Sequence, residues 1–173
     1  MDPETLKGVF PVDDELPPAL VRLCEYSERA GTDTISCDFA LSDSGQEQLE
    51  RYFGESELPK SFGVFGVDDS HSFYALWLLD GRKPTDAPVV YLAGGGYGSG
   101  VLAKNMDEFL PLLPAGIRTL GLVDDWEKDE PCENAVALRK DLGIEPPADP
   151  RSIVDAARAE FPDLQSWIEE HRS

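Results

Sequence analysis

The stretch from residue 62 to residue 103 limits the fold most, because four strand-like runs follow one another there with only short links. The runs are rich in aromatic and β-branched residues, as strands are, and they cover 62–67, 73–79, 89–93 and 101–103. A parallel pair would need a crossover of about a dozen residues or more, usually a helix. No link here is that long, so the segment predicts a mainly antiparallel sheet that starts with a hairpin.

Helical periodicity precedes these strands. Leu20 and Leu23 recur at helical spacing behind two prolines suited to a first turn, and Gly31 supplies a stop. A second helix is predicted from Ser44, which stands three residues before Glu47 in the spacing of a capping box. Both patterns indicate amphipathic helices laid on the predicted sheet.

Further helices are predicted after the strands. Asn105 is placed to cap a helix that has Glu108 at its third position. Three more helical segments follow, at about 134–142, 153–161 and 162–173. We therefore expect one α+β domain over residues 1–173, a mainly antiparallel sheet with helices packed on it, in which residues 144–173 form a helical C-terminal extension.

Two large aromatic residues are candidates for the centre of the core. Trp77 lies in the second strand-like run, and Phe109 lies in the helix that Asn105 opens. We expect the two side chains to be buried together, where this strand meets this helix.

The charge of the chain excludes several functions. The 173 residues include 34 acidic and 15 basic side chains, which gives a net charge of −19. So negative a surface repels nucleic acid and anionic membranes and attracts a basic protein. There is no apolar run of about 18 residues and no basic, apolar leader at Met1, so we expect no membrane span, no secretory signal and a cytoplasmic location.

The cysteines give little indication of a site. Cys24, Cys37 and Cys132 are odd in number and have no CxxC spacing, so they match neither a disulfide framework nor a zinc site. We expect reduced thiols, with Cys24 buried on an apolar helix face.

No motif in the chain predicts catalysis or a cofactor. The glycine run 94–100 lacks both a Gly-Lys-Ser/Thr ending and a GxGxxG register, and the strand that follows it offers no helix N-terminus to a phosphate. His71 lies between Ser70 and Ser72 and near Asp69, but adjacent residues rarely adopt the geometry of a catalytic triad. We expect a hairpin connection and a polar turn, with no catalytic, cofactor-binding or metal-binding residue and no bound cofactor.

The acidic segment 124–133 allows two interpretations. It contains six carboxylates, one lysine and Trp126. It is either a solvated loop that keeps the protein soluble or an interface for a basic partner, since an exposed tryptophan is costly unless something covers it. The candidate partner-binding residues are Asp124, Asp125, Trp126, Glu127, Asp129 and Glu130.

The pattern over residues 62–113 resembles the SUKH superfamily, the Smi/Knr-like proteins. The residues that carry the resemblance are the strand 73–77 ending in Trp77, the strand 88–92 that begins Pro-Val, the glycine loop, a short strand 101–103, and the Asn-x-x-Glu-Phe-Leu-x-x-Leu helix 105–113. The N-terminal part departs from the commoner members, because Leu16-Pro17-Pro18 is only a partial match to their Leu-Pro segment.

The resemblance implies an α+β fold and a function without chemistry. Bacterial members of the superfamily are largely immunity proteins that neutralise cognate toxins, often nucleases, and fungal relatives regulate cell-wall synthesis. By this resemblance we expect a non-catalytic protein-binding module, an immunity protein against a basic toxin such as a nuclease. Two alternatives stay open: a regulatory scaffold of a biosynthetic or cell-envelope pathway, and a small-ligand-binding protein or hydrolase with a pocket near the glycine loop.

Overall fold

A six-stranded antiparallel sheet lies at the centre of the structure, a computed structural model that describes residues 1–95, 98–126 and 132–172. The strands are β1 (Thr34–Ser36), β2 (Phe39–Leu41), β3 (Phe62–Val67), β4 (Phe73–Trp77), β5 (Val89–Leu92) and β6 (Gly100–Ala103). They lie side by side in sequence order, and each pairs antiparallel with the next. The short links thus produce the antiparallel sheet that they predict, which confirms the α+β class.

Seven α-helices cover this sheet in the described part of the chain. They are α1 (Pro3–Val9), α2 (Pro18–Ala30), α3 (Gly45–Phe53), α4 (Met106–Phe109), α5 (Glu133–Leu142), α6 (Pro150–Glu160) and α7 (Leu164–His171). A 3-10 segment, Leu110–Ala115, continues α4. Every helix predicted from the sequence is present, whereas α1 and the β1–β2 hairpin were not predicted.

Both faces of the sheet are buried, and strand alternation assigns each side chain to one of them. On β4, Tyr74 and Leu76 join the core on the first face, whereas Phe73, Ala75 and Trp77 join the core on the second face. Helices α1, α2, α4 and α5 contribute to the first core, and α3 and α7 to the second. Because neither side of β4 meets solvent, its sequence is a continuous apolar run.

The expectation that Trp77 and Phe109 are buried together is wrong. Both side chains are fully buried, but they belong to opposite faces of the sheet. The Phe109 ring packs 5.8 Å from that of Phe65 and 6.2 Å from that of Tyr74, whereas the Trp77 ring lies 5.2 Å from that of Trp167. Trp77 is three residues from Tyr74 on one strand, and this odd spacing directs the two side chains to opposite sides.

One predicted helix cap is confirmed and the other is not formed. The side chain of Asn105 accepts a hydrogen bond of 2.9 Å from the backbone N–H of Glu108. Ser44 precedes α3, but it has a helical backbone conformation and makes no capping hydrogen bond with its side chain. Glu47 instead forms an ion pair with Arg51 one turn further along.

The C-terminal helices contribute directly to the second face. Ala157 and Phe161 come from α6 and its end, and Leu164 and Ile168 come from α7; all four are buried in the second core. The Trp167 ring packs edge-on against the Phe62 ring at 6.0 Å.

We expect Trp77→Ala to lower the free energy of unfolding by about 3–5 kcal/mol, because it leaves a large cavity on the second face. Trp77→Phe should cost clearly less, because the buried indole N–H has no hydrogen-bond partner among the described residues. Urea unfolding of both variants measures the two losses. A shift of the Ala variant within error would contradict the placement of this strand.

We expect the cap of α7 to depend on pH. Hydrogen bonds from the backbone N–H and hydroxyl of Ser166 lower the pKa of Asp163, which caps α7. A carboxylate whose pKa is lowered by folding stabilises the protein above its unfolded pKa, and this stabilisation is lost as the pH falls through the lower folded value. Asp163→Ala should therefore cost about 1 kcal/mol at pH 7 and progressively less below about pH 4.

The matched control for this cap is Asp163→Asn, which retains a capping oxygen but has no titrating proton. The difference in stability between Asp163→Asn and Asp163→Ala should therefore stay constant over the same pH range, as measured by urea unfolding at each pH. A constant difference between wild type and the Ala variant would contradict the contribution of the charged cap.

Candidate functional site

The acidic segment begins in a short 3-10 turn, Val123–Asp125, at the surface next to the first core. The Asp124 side chain is 92% exposed, and one of its carboxylate oxygens lies 2.9 Å from the guanidinium of Arg151. The backbone of Asp125 belongs to the turn. The predicted residues Glu127, Asp129 and Glu130 lie outside the described residues. The structure therefore describes only the start of the acidic segment, where the Asp124 side chain is exposed and paired with Arg151.

Trp126 anchors the start of the segment to the body of the protein. Its side chain is half-buried against the first core, and the indole N–H donates a hydrogen bond of 3.2 Å to the carbonyl of Leu120. Val123 and Leu120 are buried beside it. The chain between these two residues lies close to the sheet, because a Cβ on Gly121 would come within 2.3 Å of the Tyr91 ring. Much of the Trp126 side chain is thus covered by the protein's own core.

The end of the segment is fixed by a disulfide bond. Cys37 and Cys132 are joined, with their Cα atoms 5.6 Å apart, although 95 positions separate them in the chain. The expectation that all three cysteines are reduced is therefore wrong for this pair and holds only for Cys24, which is free and buried. The sequence conceals the pair because the β1–β2 hairpin that carries Cys37 has only three residues in each strand.

The turn between β1 and β2 contacts the chain shortly before the segment and again near its end. On one side Asp38 accepts a hydrogen bond of 3.2 Å from the hydroxyl of Thr119. On the other side Cys37 is bonded to Cys132, and its backbone N–H donates a hydrogen bond of 2.8 Å to the Asn134 side chain. We call these contacts, together with Trp126 and its hydrogen bond, the frame of the acidic segment.

The β3–β4 turn is organised around a buried carboxylate. One oxygen of Asp68 accepts hydrogen bonds from the backbone N–H of Ser70 at 2.9 Å, from the Ser70 hydroxyl at 2.6 Å and from the N–H of Ser72 at 3.2 Å. Burial, and then the charge of Asp68, raise the pKa of Tyr74 well above its usual value. His71 is exposed and has a left-handed backbone, with φ of 60°. Among the described residues its imidazole bonds to neither serine, so the turn is organised around Asp68.

A concave surface lies on the second face of the sheet, beside the glycine loop. This cleft has a volume of about 410 Å³ between α3 and α7, and its lining includes Gly95 and Ser99 of that loop. Leu49, Leu92 and Ile168 form a buried apolar floor. The other lining residues are Tyr52, Phe53, Phe73, Ala93, Gln165, Glu169 and Arg172. The sequence indicated a pocket near these glycines only as an alternative.

Neither a metal centre nor a membrane span is found in the described ranges. No group of three His, Cys, Asp or Glu side chains there is arranged to hold a metal ion. None of the described helices has the length and apolarity needed to cross a membrane.

Comparisons with protein-family models, with curated proteins and with solved structures find no match for this chain. What the acidic segment and the cleft can bind must therefore be argued from their own geometry and charge.

Trp126→Ala is expected to lower the free energy of unfolding by about 1–3 kcal/mol, because it removes a hydrogen bond and part of a packed surface. The control is Leu122→Ala, which truncates an exposed apolar side chain in the same stretch. Thermal melts of both variants compare the two losses. Equal melting temperatures for wild type and the Trp126 variant would show that this side chain does not anchor the segment.

Proposed function

We propose that this protein is a non-catalytic protein-binding module that neutralises a basic toxin, such as a nuclease, through its acidic segment. The proposal extends the resemblance to the SUKH superfamily, whose bacterial members are largely immunity proteins. The observation that supports it most is the frame: a single turn of the sheet contacts the chain shortly before the acidic stretch and again near its end, and Trp126 packs on the first core.

The charge of the protein suits such a partner. A nuclease must present a basic face to nucleic acid, and a protein of net charge −19 is attracted to that face over a long range. Steering of this kind raises the association rate more than the affinity. A partner covered in this way could no longer bind its nucleic acid substrate.

The frame affects a second contribution to affinity, the conformational entropy that a loop loses on binding. A loop that is ordered only on binding loses conformational entropy at that moment, and this loss weakens the complex. Trp126 on one side and Cys132 on the other are attached to the body of the protein before binding. An acidic segment that is attached on both sides before binding loses less entropy in a complex. This attachment therefore favours a binding surface over a loop that only keeps the protein soluble.

The proposed cytoplasmic location is tested together with the disulfide. The cytoplasm keeps most thiols reduced, whereas disulfides persist in oxidising compartments. Alkylation of thiols in intact cells, followed by mass measurement of the protein, distinguishes the two. Alkylation of Cys37 and Cys132 would support a cytoplasmic location. An intact Cys37–Cys132 bond would instead indicate an oxidising compartment.

The direct test of the function is protection. A host that expresses the product of the neighbouring toxin gene is plated with and without this protein, and the purified pair is examined for a complex. We expect growth to be restored and a stoichiometric complex to form. Survival that does not depend on this protein would overturn the immunity function.

Charge reversal tests the site. Asp125→Lys, Glu127→Lys and Asp129→Lys together should slow association with the toxin at least about tenfold at low salt and flatten its dependence on salt. The matched control reverses Glu50, Glu55 and Glu170, exposed carboxylates that lie on or beside α3 and α7, so the net charge changes equally. Surface plasmon resonance at two salt concentrations measures both rates. Equal slowing in the two triple variants would assign the effect to net charge and not to the acidic segment.

A second candidate function, small-ligand binding, is favoured by the cleft beside the glycine loop. Its volume of about 410 Å³ falls within the range of ligand sites, and its floor is apolar while Glu169 and Arg172 contribute charged groups. Methyl NMR against a fragment library tests it. A ligand should shift the methyl signals of Leu49, Leu92 and Ile168, and shifts confined to the first face, for example at Leu20, would argue against the cleft.

A further inference from the structure

We propose that the Cys37–Cys132 disulfide is a reversible thiol–disulfide switch that sets how firmly the frame is held, and through the frame how tightly the basic partner binds. The second half of this statement rests on the proposed function. The first half concerns the protein alone and is tested without a partner.

The pair is accessible and suited to thiol exchange. Both Cys37 and Cys132 are partly exposed, so a thiol in solution can reach them. Cys132 is the residue that precedes the first turn of α5, a helix of 10 residues. The N-terminus of a helix carries a partial positive charge, and this position therefore favours Cys132 as the sulfur that leaves with the negative charge. Cys24 differs, because it is fully buried and burial raises its pKa to about 12.

The structure also favours re-formation of the bond. The side-chain oxygen of Asn134 accepts from the N–H of Cys37 at 2.8 Å, and its amide nitrogen donates to the Cys37 carbonyl at 3.4 Å. These two contacts join the same two segments as the disulfide does. Leu138, buried in the first core, keeps α5 against the body of the protein as well. After reduction the two thiols therefore remain near each other.

Reduction nevertheless loosens the frame at one end. Trp126 and Thr119 keep their contacts, but the junction between the β1–β2 turn and α5 loses its covalent bond and keeps two hydrogen bonds, of which one is long, and the packing of Leu138. The first turn of α5 gains freedom, and with it the end of the acidic segment at Cys132. Binding then has to supply that order again, so the complex is weaker in the reduced state.

The chemistry balances with an external thiol as the reductant. A thiolate attacks one sulfur of the pair, the Cys37–Cys132 bond breaks, and the leaving sulfur takes up a proton. A second thiol resolves the mixed disulfide, so two electrons and two protons reach the protein and the donor becomes a disulfide. Oxidised glutathione, or another disulfide, reverses the sequence.

Thiol counting and hydrogen exchange on the full-length protein test the switch. The protein is equilibrated in glutathione buffers of graded potential and labelled with a maleimide under native conditions. Intact mass should show two reactive thiols after reduction and none after reoxidation, with Cys24 labelled only in denaturant. Amide exchange in the first turn of α5 should rise at least about tenfold on reduction, while exchange in α2 stays constant.

Variants test whether the Cys37–Cys132 bond itself controls amide exchange in α5. Cys37→Ser with Cys132→Ser should reproduce the reduced exchange pattern under all conditions, and Cys24→Ala should behave as wild type. Adding Asn134→Ala to the serine variant should raise exchange further, because it removes the remaining tie. A pair that reacts only in denaturant, or α5 exchange that is equal in both states, would overturn the switch.

The affinity for the toxin of the protection test then decides whether the disulfide controls binding of the partner. We expect the dissociation constant to rise at least about fivefold on reduction, with no change for Cys24→Ala between the two states. Equal affinity in both states would overturn control of binding. A toxin that binds in neither state would instead remove the proposed function, whereas the thiol count and α5 exchange would still decide the switch.

Discussion

Burial of both faces of one short-linked antiparallel sheet is the constraint on which the rest of the structure depends. The links between the central strands are too short to hold α-helices, so the helices that cover the sheet come from the segment before β3, which includes α3, and from the segment after β6. Helix α2 and the Asn105 helix cover the first face, and α3 and α7 cover the second. The acidic C-terminal third of the chain thus contributes both to the core and to the surface.

The antiparallel pairing of β3 to β6 and the positions of α2 to α7 could be predicted from the sequence because they depend on local patterns. Short links impose antiparallel pairing, and leucines at helical spacing before Gly31 indicate α2. Assignment of a side chain to a face was less certain, because a strand buried on both sides shows no polar alternation. Trp77 and Phe109 illustrate this: each is predictably buried, but which face each one occupies depends on register and on where α4 packs.

The acidic charge of the candidate site could be predicted from the sequence, whereas the contacts of the frame could not. Carboxylates gathered around Trp126 are visible in the sequence, whereas the frame depends on a hairpin of two three-residue strands that carries no strong pattern. The bond from Cys37 to Cys132 spans 95 positions, and an odd number of cysteines without regular spacing gives no means of pairing them. Contacts between distant segments, such as Thr119 with Asp38, follow only from the tertiary fold.

Under the proposed function, charge and restraint would make separate contributions to binding at this surface. A net charge of −19 attracts any basic protein, so it provides speed but little selectivity. Selectivity requires carboxylates held in a fixed arrangement, because a flexible acidic chain can adapt to many basic faces. The turn at Cys37 and Asp38 holds the chain at Thr119 and at Cys132, through one hydrogen bond and one covalent bond. Under the proposed function, this turn would therefore add selectivity to the speed that the net charge provides.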